Sequence, residues 1–435
     1  MASEWQDYLV RGNKVWLFNS RYQGTILQVG FHEEYPTVWK TEYLFKFDLE
    51  SMISSTQGRR CKLRCLNFPN NLNVNGDVIL VARVEVSTKT FTDFIVVISE
   101  DRIDYENEVI YPEIISFSQI LPKEYCYLDT FLPCNEGKTI YITSHSKGDE
   151  GALGPVFRIE RSIDNGESRV DAFPVFSSEY FLSLPLIDLF TYGDGSVVGI
   201  SLPFSQQGSL TNTGRVLLTQ YNRDSKNLIQ FQEILSDKPK PEEQFGTKGI
   251  FSSTGHLLIV SSPFSDHYTT ADIVPSSGMV SVYQRSNGIY SFSQNLRNED
   301  AETTNVNFGY SVGVSRDESV IAVGIRGLLE GHGSVRVYGK RDQRYEGGIY
   351  LVDSSTGNNS WGESKRTFHE PITMGVGCSV TIMENDGSLN YIVGAGLLTG
   401  YSSNSSVHAF VEDQNNGSSD DDEAEPLPTV SLSIT

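Results

Sequence analysis

The stretch Asn307-Phe308-Gly309-Tyr310-Ser311-Val312-Gly313-Val314 leads through a polar break at Arg316-Asp317-Glu318 into Ser319-Val320-Ile321-Ala322-Val323-Gly324. A loop then leads to Gly333-Ser334-Val335-Arg336-Val337-Tyr338. β-Branched residues fill each run and polar residues or glycines bound it, which reads as strand, turn, strand, long loop, strand. The same order stands one unit earlier. Gln244-Phe245-Gly246 opens it, Ser253-Thr254-Gly255 is the turn, and Leu257-Leu258-Ile259-Val260 and Gly278-Met279-Val280-Ser281-Val282-Tyr283 are the next two strands. Gly246 to Ser261 spans the same interval as Gly309 to Gly324. One unit later, Gly377-Cys378-Ser379-Val380, the turn Asn385-Asp386-Gly387, Tyr391-Ile392-Val393-Gly394 and Ser406-Val407-His408-Ala409-Phe410 repeat the theme.

Toward the N-terminus the second strand is the best marker. The marker residues are Trp16, Ile79, Ile140, Val197, Leu258, Val320 and Ile392, and their separations are 63, 61, 57, 61, 62 and 72. Free loops would scatter such spacings more widely. Each unit has room for about four short strands, with Gly348-Ile349-Tyr350-Leu351-Val352 as the fourth of the sixth unit. A four-stranded sheet repeated radially is a propeller blade. The expectation is therefore an all-β chain: a single seven-bladed β-propeller with four-stranded antiparallel blades. The blades fall roughly at 1–58, 59–118, 119–176, 177–236, 237–298, 299–362 and 363–435. Residues 415–428 form an acidic exposed loop. The alternating heptad Thr429-Val430-Ser431-Leu432-Ser433-Ile434-Thr435 is expected to be the closing strand.

The Phe-Gly opening, the Asp-Gly-like turn, the apolar strand ending in Gly and the Gly-x-Val-x-Val-Tyr strand resemble the FG-GAP repeats of integrin-α-type propellers. The resemblance is carried by Phe308 to Tyr338, then by Phe245 to Tyr283 and Gly377 to Phe410. In the first three units it rests on strand order and spacing. The Gly-Ala-Pro element is reduced to Ser262-Pro263 and Leu202-Pro203. Such repeats imply a fold and leave function open.

The charge narrows the partners. A net charge of −21 repels phosphate backbones and anionic membrane surfaces. No nucleic acid and no membrane insertion are expected. Five cysteines, Cys61, Cys65, Cys126, Cys134 and Cys378, are too few and too uneven for a disulfide framework. The N-terminus has no basic and apolar leader, and no apolar run reaches a membrane span. Cytoplasmic synthesis, with no signal peptide or transmembrane segment, is the expectation, with incorporation into a particle as an extension of it.

Integrin-type repeats often carry a calcium loop of alternating Asp and Asn ligands. The corresponding turns here hold single acids, Asp194, Asp317 and Asp386, which turn formation explains. Ser162-Ile163-Asp164-Asn165-Gly166 resembles the start of the Asp-box turn of sialidase propellers, but Arg169 stands where an aromatic residue is expected. A hairpin tip accounts for it. Cys61 and Cys65 lack further zinc ligands nearby, and the seven histidines show no metal or triad spacing. The acceptor triplets at Asn358, Asn404 and Asn416 are expected to be unmodified loops. No catalytic residue, metal site or cofactor is expected.

The long loops between second and third strands carry the binding expectation. They hold Phe204, Phe264, His267, Tyr268, Arg326, Leu328 and His332. Equivalent loops of a propeller emerge on one face, and exposed aromatic, Arg and Leu residues anchor partners. The leading expectation is a non-enzymatic interaction or structural module making protein–protein contacts, a component of a larger assembly such as a virion or phage tail. A glycan- or receptor-binding adhesion propeller is the second reading. A propeller hydrolase or lyase with a central-funnel site is the third, since propeller enzymes gather their residues from several blades and need no local motif.

Overall fold

In the computed structural model, Leu257–Ser262 is buried along its whole length, as are Val197–Leu202 and Val320–Ile325. Alternation explains how one short strand is buried on both faces. Leu257 and Ile259 face a cluster shared with the following sheet, while Leu258 and Val260 face one shared with the preceding sheet. A strand between two sheets reads as a continuous apolar run, which is why it marks the repeat. Each marker residue lies on the second strand of its sheet.

The structure describes residues 7–11, 14–19, 25–31, 39–46, 48–58, 60, 62–67, 77–87, 90–121, 125–146, 155–164, 167–176, 188–268, 273–297, 307–325, 334–341, 344–352, 366–367, 379–384, 390–396, 406–411 and 430–432. Among them, seven meandering sheets follow one another along the chain. Sheet one is Asp7–Arg11, Lys14–Asn19, Thr25–Phe31 and Trp39–Lys46. Sheet two is Lys62–Asn67, Val78–Ser87, Thr90–Ile98 and Glu113–Ser116. Sheet three is Tyr125–Cys134, Thr139–Ser146, Val156–Asp164 and Glu167–Phe176. Sheet four is Asp188–Tyr192, Val197–Leu202, Arg215–Asn222 and Asn227–Ile234. Sheet five is Lys248–Phe251, Leu257–Ser262, Met279–Ser286 and Ile289–Leu296. Sheet six is Phe308–Val314, Val320–Ile325, Ser334–Arg341 and Arg344–Val352, with Arg366–Thr367 added in parallel as a fifth strand. Sheet seven is Ser379–Glu384, Asn390–Gly396, Ser406–Val411 and Val430–Leu432, the last pairing antiparallel with Ser406–Val411.

The core is divided among the spaces between sheets. One cluster joins sheets one and two through Trp16, Phe45, Leu80 and Phe94. Others join two to three through Ile79 and Ile140, three to four through Tyr141 and Val198, four to five through Phe190 and Phe245, and five to six through Ile259 and Phe308. Each fully buried aliphatic side chain contributes about 1.5–3 kcal/mol. The first strands of sheets three to seven lie side by side in succession, and the first strand of sheet seven also contacts that of sheet one. At sheet two the first strand of sheet three lies instead against Thr90–Ile98.

Two further features depart from plain repetition. The first is the fifth, parallel strand of sheet six. The second is a helix at Leu49–Gln57 between sheets one and two, which buries Leu49 and Ile53. Asp48 caps it by accepting the Ser51 backbone N–H at 3.0 Å, and Gly58 ends it at φ 64°. Among the described residues no helix is long and apolar enough to cross a membrane.

Candidate functional site

The starts of sheets five and six are held by the same backbone latch. In sheet five the Phe245 N–H donates to the Thr213 carbonyl at 2.9 Å, and in sheet six the Phe308 N–H donates to the Ser277 carbonyl at 3.2 Å. Gly214 and Gly278 stand opposite, at φ 82° and 84°. A Cβ on Gly214 would meet the Phe245 carbonyl oxygen at 2.0 Å, and one on Gly278 the Phe308 carbonyl oxygen at 2.1 Å. Only glycine fits both the conformation and the approach. Phe245 and Phe308 are then fully buried.

This latch fixes the connector from sheet four to sheet five. The Glu242 and Gln244 N–H groups donate to the Thr211 and Asn212 carbonyls, each at 2.9 Å. The Glu242 carboxylate turns outward to Thr211 Oγ1 and Asn212 Nδ2, both at 2.8 Å. Glu243 between them turns inward and is 1% exposed. Neither of its carboxylate oxygens has a partner in hydrogen-bond geometry. Glu242 and Gln244 flank it in the left-handed region, at φ 62° and 51°. Gln244 has a counterpart in Asn307, at φ 49°, so its conformation belongs to the latch. Glu242 also holds a backbone conformation that side chains rarely adopt, and local strain of this kind costs about 1–3 kcal/mol.

Two cations face this acid. Lys240 Nζ donates to the Asp266 carbonyl at 3.0 Å. Arg297, on the next connector, places Nη2 3.0 Å from the Met279 thioether sulfur, and its buried Nη1 has no partner. The Arg297 carbonyl accepts the Tyr338 hydroxyl at 3.0 Å and Arg336 Nη1 at 3.4 Å, which pins the residue. Burial pushes the Glu243 pKa up, outweighing the Ser236 hydroxyl, the Lys240 backbone N–H, Lys240 and Arg297, all of which favour the carboxylate. Burial pulls Lys240 down, helped by Arg297, and burial pulls Arg297 down against the attraction of Glu243. An acid raised and an amine lowered are brought closer in proton affinity. The buried polar atoms Ser201 Oγ, Ser236 Oγ, Ser262 Oγ, Ser265 Oγ and Asn307 Oδ1, on the same connectors, second-strand ends and following loops, also lack partners.

The expected loop residues distribute unevenly. Phe204 and Phe264 sit at matching places after the second strands of sheets four and five, and both are half-buried. Phe204 packs against the core shared by sheets three and four. His267 and Tyr268 begin a small hairpin that pairs with Ile273–Val274 inside the loop of sheet five. Arg326, Leu328 and His332 lie outside the described residues. The turn acids behave as turn formers: Asp194 accepts the Ser196 N–H at 2.9 Å, and Asp317 accepts the Ser315 and Ser319 hydroxyls at 2.7 Å. Asp386 lies outside the described residues. Among the described residues no group of three or more His, Cys, Asp or Glu side chains comes together to hold a metal. Cys134 is buried, and burial pushes its thiol up to about 12.

Glu243, Lys240 and Arg297 escaped the reading of loop aromatics. A signal was present: the neighbouring repeat reads Val306-Asn307-Phe308-Gly309 where this one reads Glu243-Gln244-Phe245-Gly246. An acid occupies the place of a valine.

No family model matches the chain, and no curated protein matches it. Among solved structures, 392 chains match, which marks a widespread architecture. The chain is similar to hydrazine synthase of Kuenenia stuttgartiensis, at 11% identity and a TM-score of 0.50, over 93% of this chain and 95% of that one. It is also similar to a prolyl endopeptidase, at 11% identity and a TM-score of 0.46, over 94% of this chain and 47% of that one. The architecture is all-β and of propeller type. The expectation of a non-enzymatic chain is corrected by this comparison, because hydrazine synthase, whose chain has a like fold, is an enzyme and the fold therefore does not set chemistry aside. Its physical ground also falls: missing local motifs do not count against chemistry when, as with Glu243 and Arg297, the groups come from successive connectors.

Proposed function

We propose that the chain is a single seven-bladed propeller and that it works as a hydrolase or lyase, with Glu243 as its acid–base residue. The observation that carries this is Glu243 itself: a carboxyl 1% exposed, with neither oxygen partnered, flanked by left-handed residues and facing two cations. A merely structural buried acid is normally satisfied by hydrogen bonds or a direct ion pair. Contact between the first strands of sheets seven and one supports the ring. Seven successive meandering sheets support the blade count.

In this reading the protonated Glu243 donates to a leaving group or to a developing oxyanion, and its carboxylate recovers a proton from the substrate or water. Lys240 and Arg297 keep the ionised form accessible and hold negative charge as it develops. Assaying the wild-type chain and Glu243→Gln on ester, glycoside and phosphoester hydrolysis and on β-elimination tests it. The expected outcome is a turnover that falls about a hundredfold or more in the variant. Turnover equal in both proteins, or absent from the wild type across all four reactions, overturns the proposal.

A further inference from the structure

Glu243 and Arg297 attract each other but do not pair. Among the described residues no ion pair within 4.0 Å joins them, both Glu243 oxygens are without a partner, and Arg297 offers a buried Nη1 with none. Its neighbour Nη2 meets a thioether, a weak acceptor. The Arg297 main chain is anchored from sheet six, where Tyr338 and Arg336 donate to its carbonyl. Lys240 is occupied by the Asp266 carbonyl. The arrangement therefore leaves a guanidinium edge without an oxygen acceptor and a carboxylate without a donor in hydrogen-bond geometry.

We infer that the substrate carries a carboxylate, held by the Arg297 guanidinium, and a nearby hydroxyl that meets Glu243. A carboxylate matches the two-pronged edge of a guanidinium, and its single charge suits a chain of net charge −21 better than a phosphate dianion does. A hydroxyl can donate to the ionised Glu243 or accept from the protonated one, so it serves both protonation states of an acid–base residue. A neutral sugar would leave the guanidinium edge unmet, and a bare carboxylate would leave Glu243 unmet. Hydroxylated carboxylates, such as sugar acids, supply both. This rests on the acid–base reading of Glu243 and adds the class of molecule taken.

Binding, measured by calorimetric titration of the full chain, separates the two claims. The probes are sodium glucuronate, glucose, which lacks the carboxylate, and sodium acetate, which lacks the hydroxyls. Glucuronate is expected to bind more tightly than either control, and Arg297→Gln to weaken it about tenfold or more. Arg297→Lys keeps the charge without the planar edge and should fall between, which covers the case in which the glutamine variant fails to fold. Equal affinities for glucuronate and glucose, no glucuronate binding, or unchanged binding in Arg297→Lys overturns the inference. Glucuronate binding that depends on Arg297, without any turnover that depends on Glu243, removes the catalytic reading alone. Turnover of a neutral substrate that depends on Glu243 and ignores Arg297 removes this inference alone.

Discussion

Repeats five and six share a backbone latch and use their glutamates in opposite ways. Both open with a buried phenylalanine and a glycine, and both close on a glycine of the preceding repeat. Repeat five buries Glu243 and leaves both its oxygens without a partner in hydrogen-bond geometry. Repeat six puts Val306 in the matching position and carries its own glutamate, Glu318, in the turn after the first strand. Glu318 reaches back to repeat five, where Thr254 Oγ1 lies 2.5 Å and His256 Nδ1 3.2 Å from its oxygens. Burial opposes its charge, but hydrogen bonds from Ser252, Thr254 and His256 prevail and lower its pKa. One acid is thus held against ionisation and the other in favour of it. Shared architecture does not dictate what a side chain is for; the partners at each position do.

The latch gives the largest expected effect. Gly214→Ala and Gly278→Ala should each cost about 3 kcal/mol, from a left-handed residue gaining a Cβ and from collision with a carbonyl oxygen. Urea unfolding of both variants checks it. Similar losses sharpen the equivalence of the two repeats, and a loss in only one breaks it.

Next comes the slot where they differ. Glu243→Val gives repeat five the residue of repeat six and should stabilise the chain by about 1–3 kcal/mol at neutral pH. The raised pKa of Glu243 sets the pH dependence. Its contribution is fully favourable below the ordinary carboxyl range and is lost as pH rises through the raised folded value. The gap between variant and wild type should therefore widen from acid to neutral pH in chemical denaturation, and a gap independent of pH would count against the assignment.

Glu318→Gln should have the smallest effect, a loss of about 1 kcal/mol at neutral pH. The sign is reversed here: a lowered folded pKa contributes above the ordinary carboxyl range and fades as pH falls through the folded value. The same denaturation series, followed toward acid, should show the variant and wild type converging.

The sequence made some of this legible and hid the rest for physical reasons. Second strands such as Val197–Leu202 announce themselves because both faces are covered. The helix Leu49–Gln57 left a readable trace in Asp48 and Gly58, but the repeat pattern drew attention to strands. Arg161 could not have been assigned: it binds Asp77 at 3.0 Å and Glu113 at 2.9 Å, partners far away in sequence that only folding brings together. Arg297 and Glu243 are alike in this, since each stands on a different connector. The binding expectation followed side-chain type, favouring loop aromatics, and Phe204 belongs to the core between sheets. An acid at the position of Val306 is a clue of another kind, visible only when two repeats are set side by side.

The latch has one more implication, for how the chain can be cut. Gly214 lies in the sequence of the fourth sheet, yet it closes on Phe245 of the fifth, and Gly278 does the same for the sixth. The unit that holds together is therefore staggered by half a sheet from the unit that repeats in the sequence. New termini placed between sheets would cut through a connector seated in its neighbour. New termini at the tip of a loop between second and third strands would leave every latch whole, and that is where a circular permutant should tolerate them.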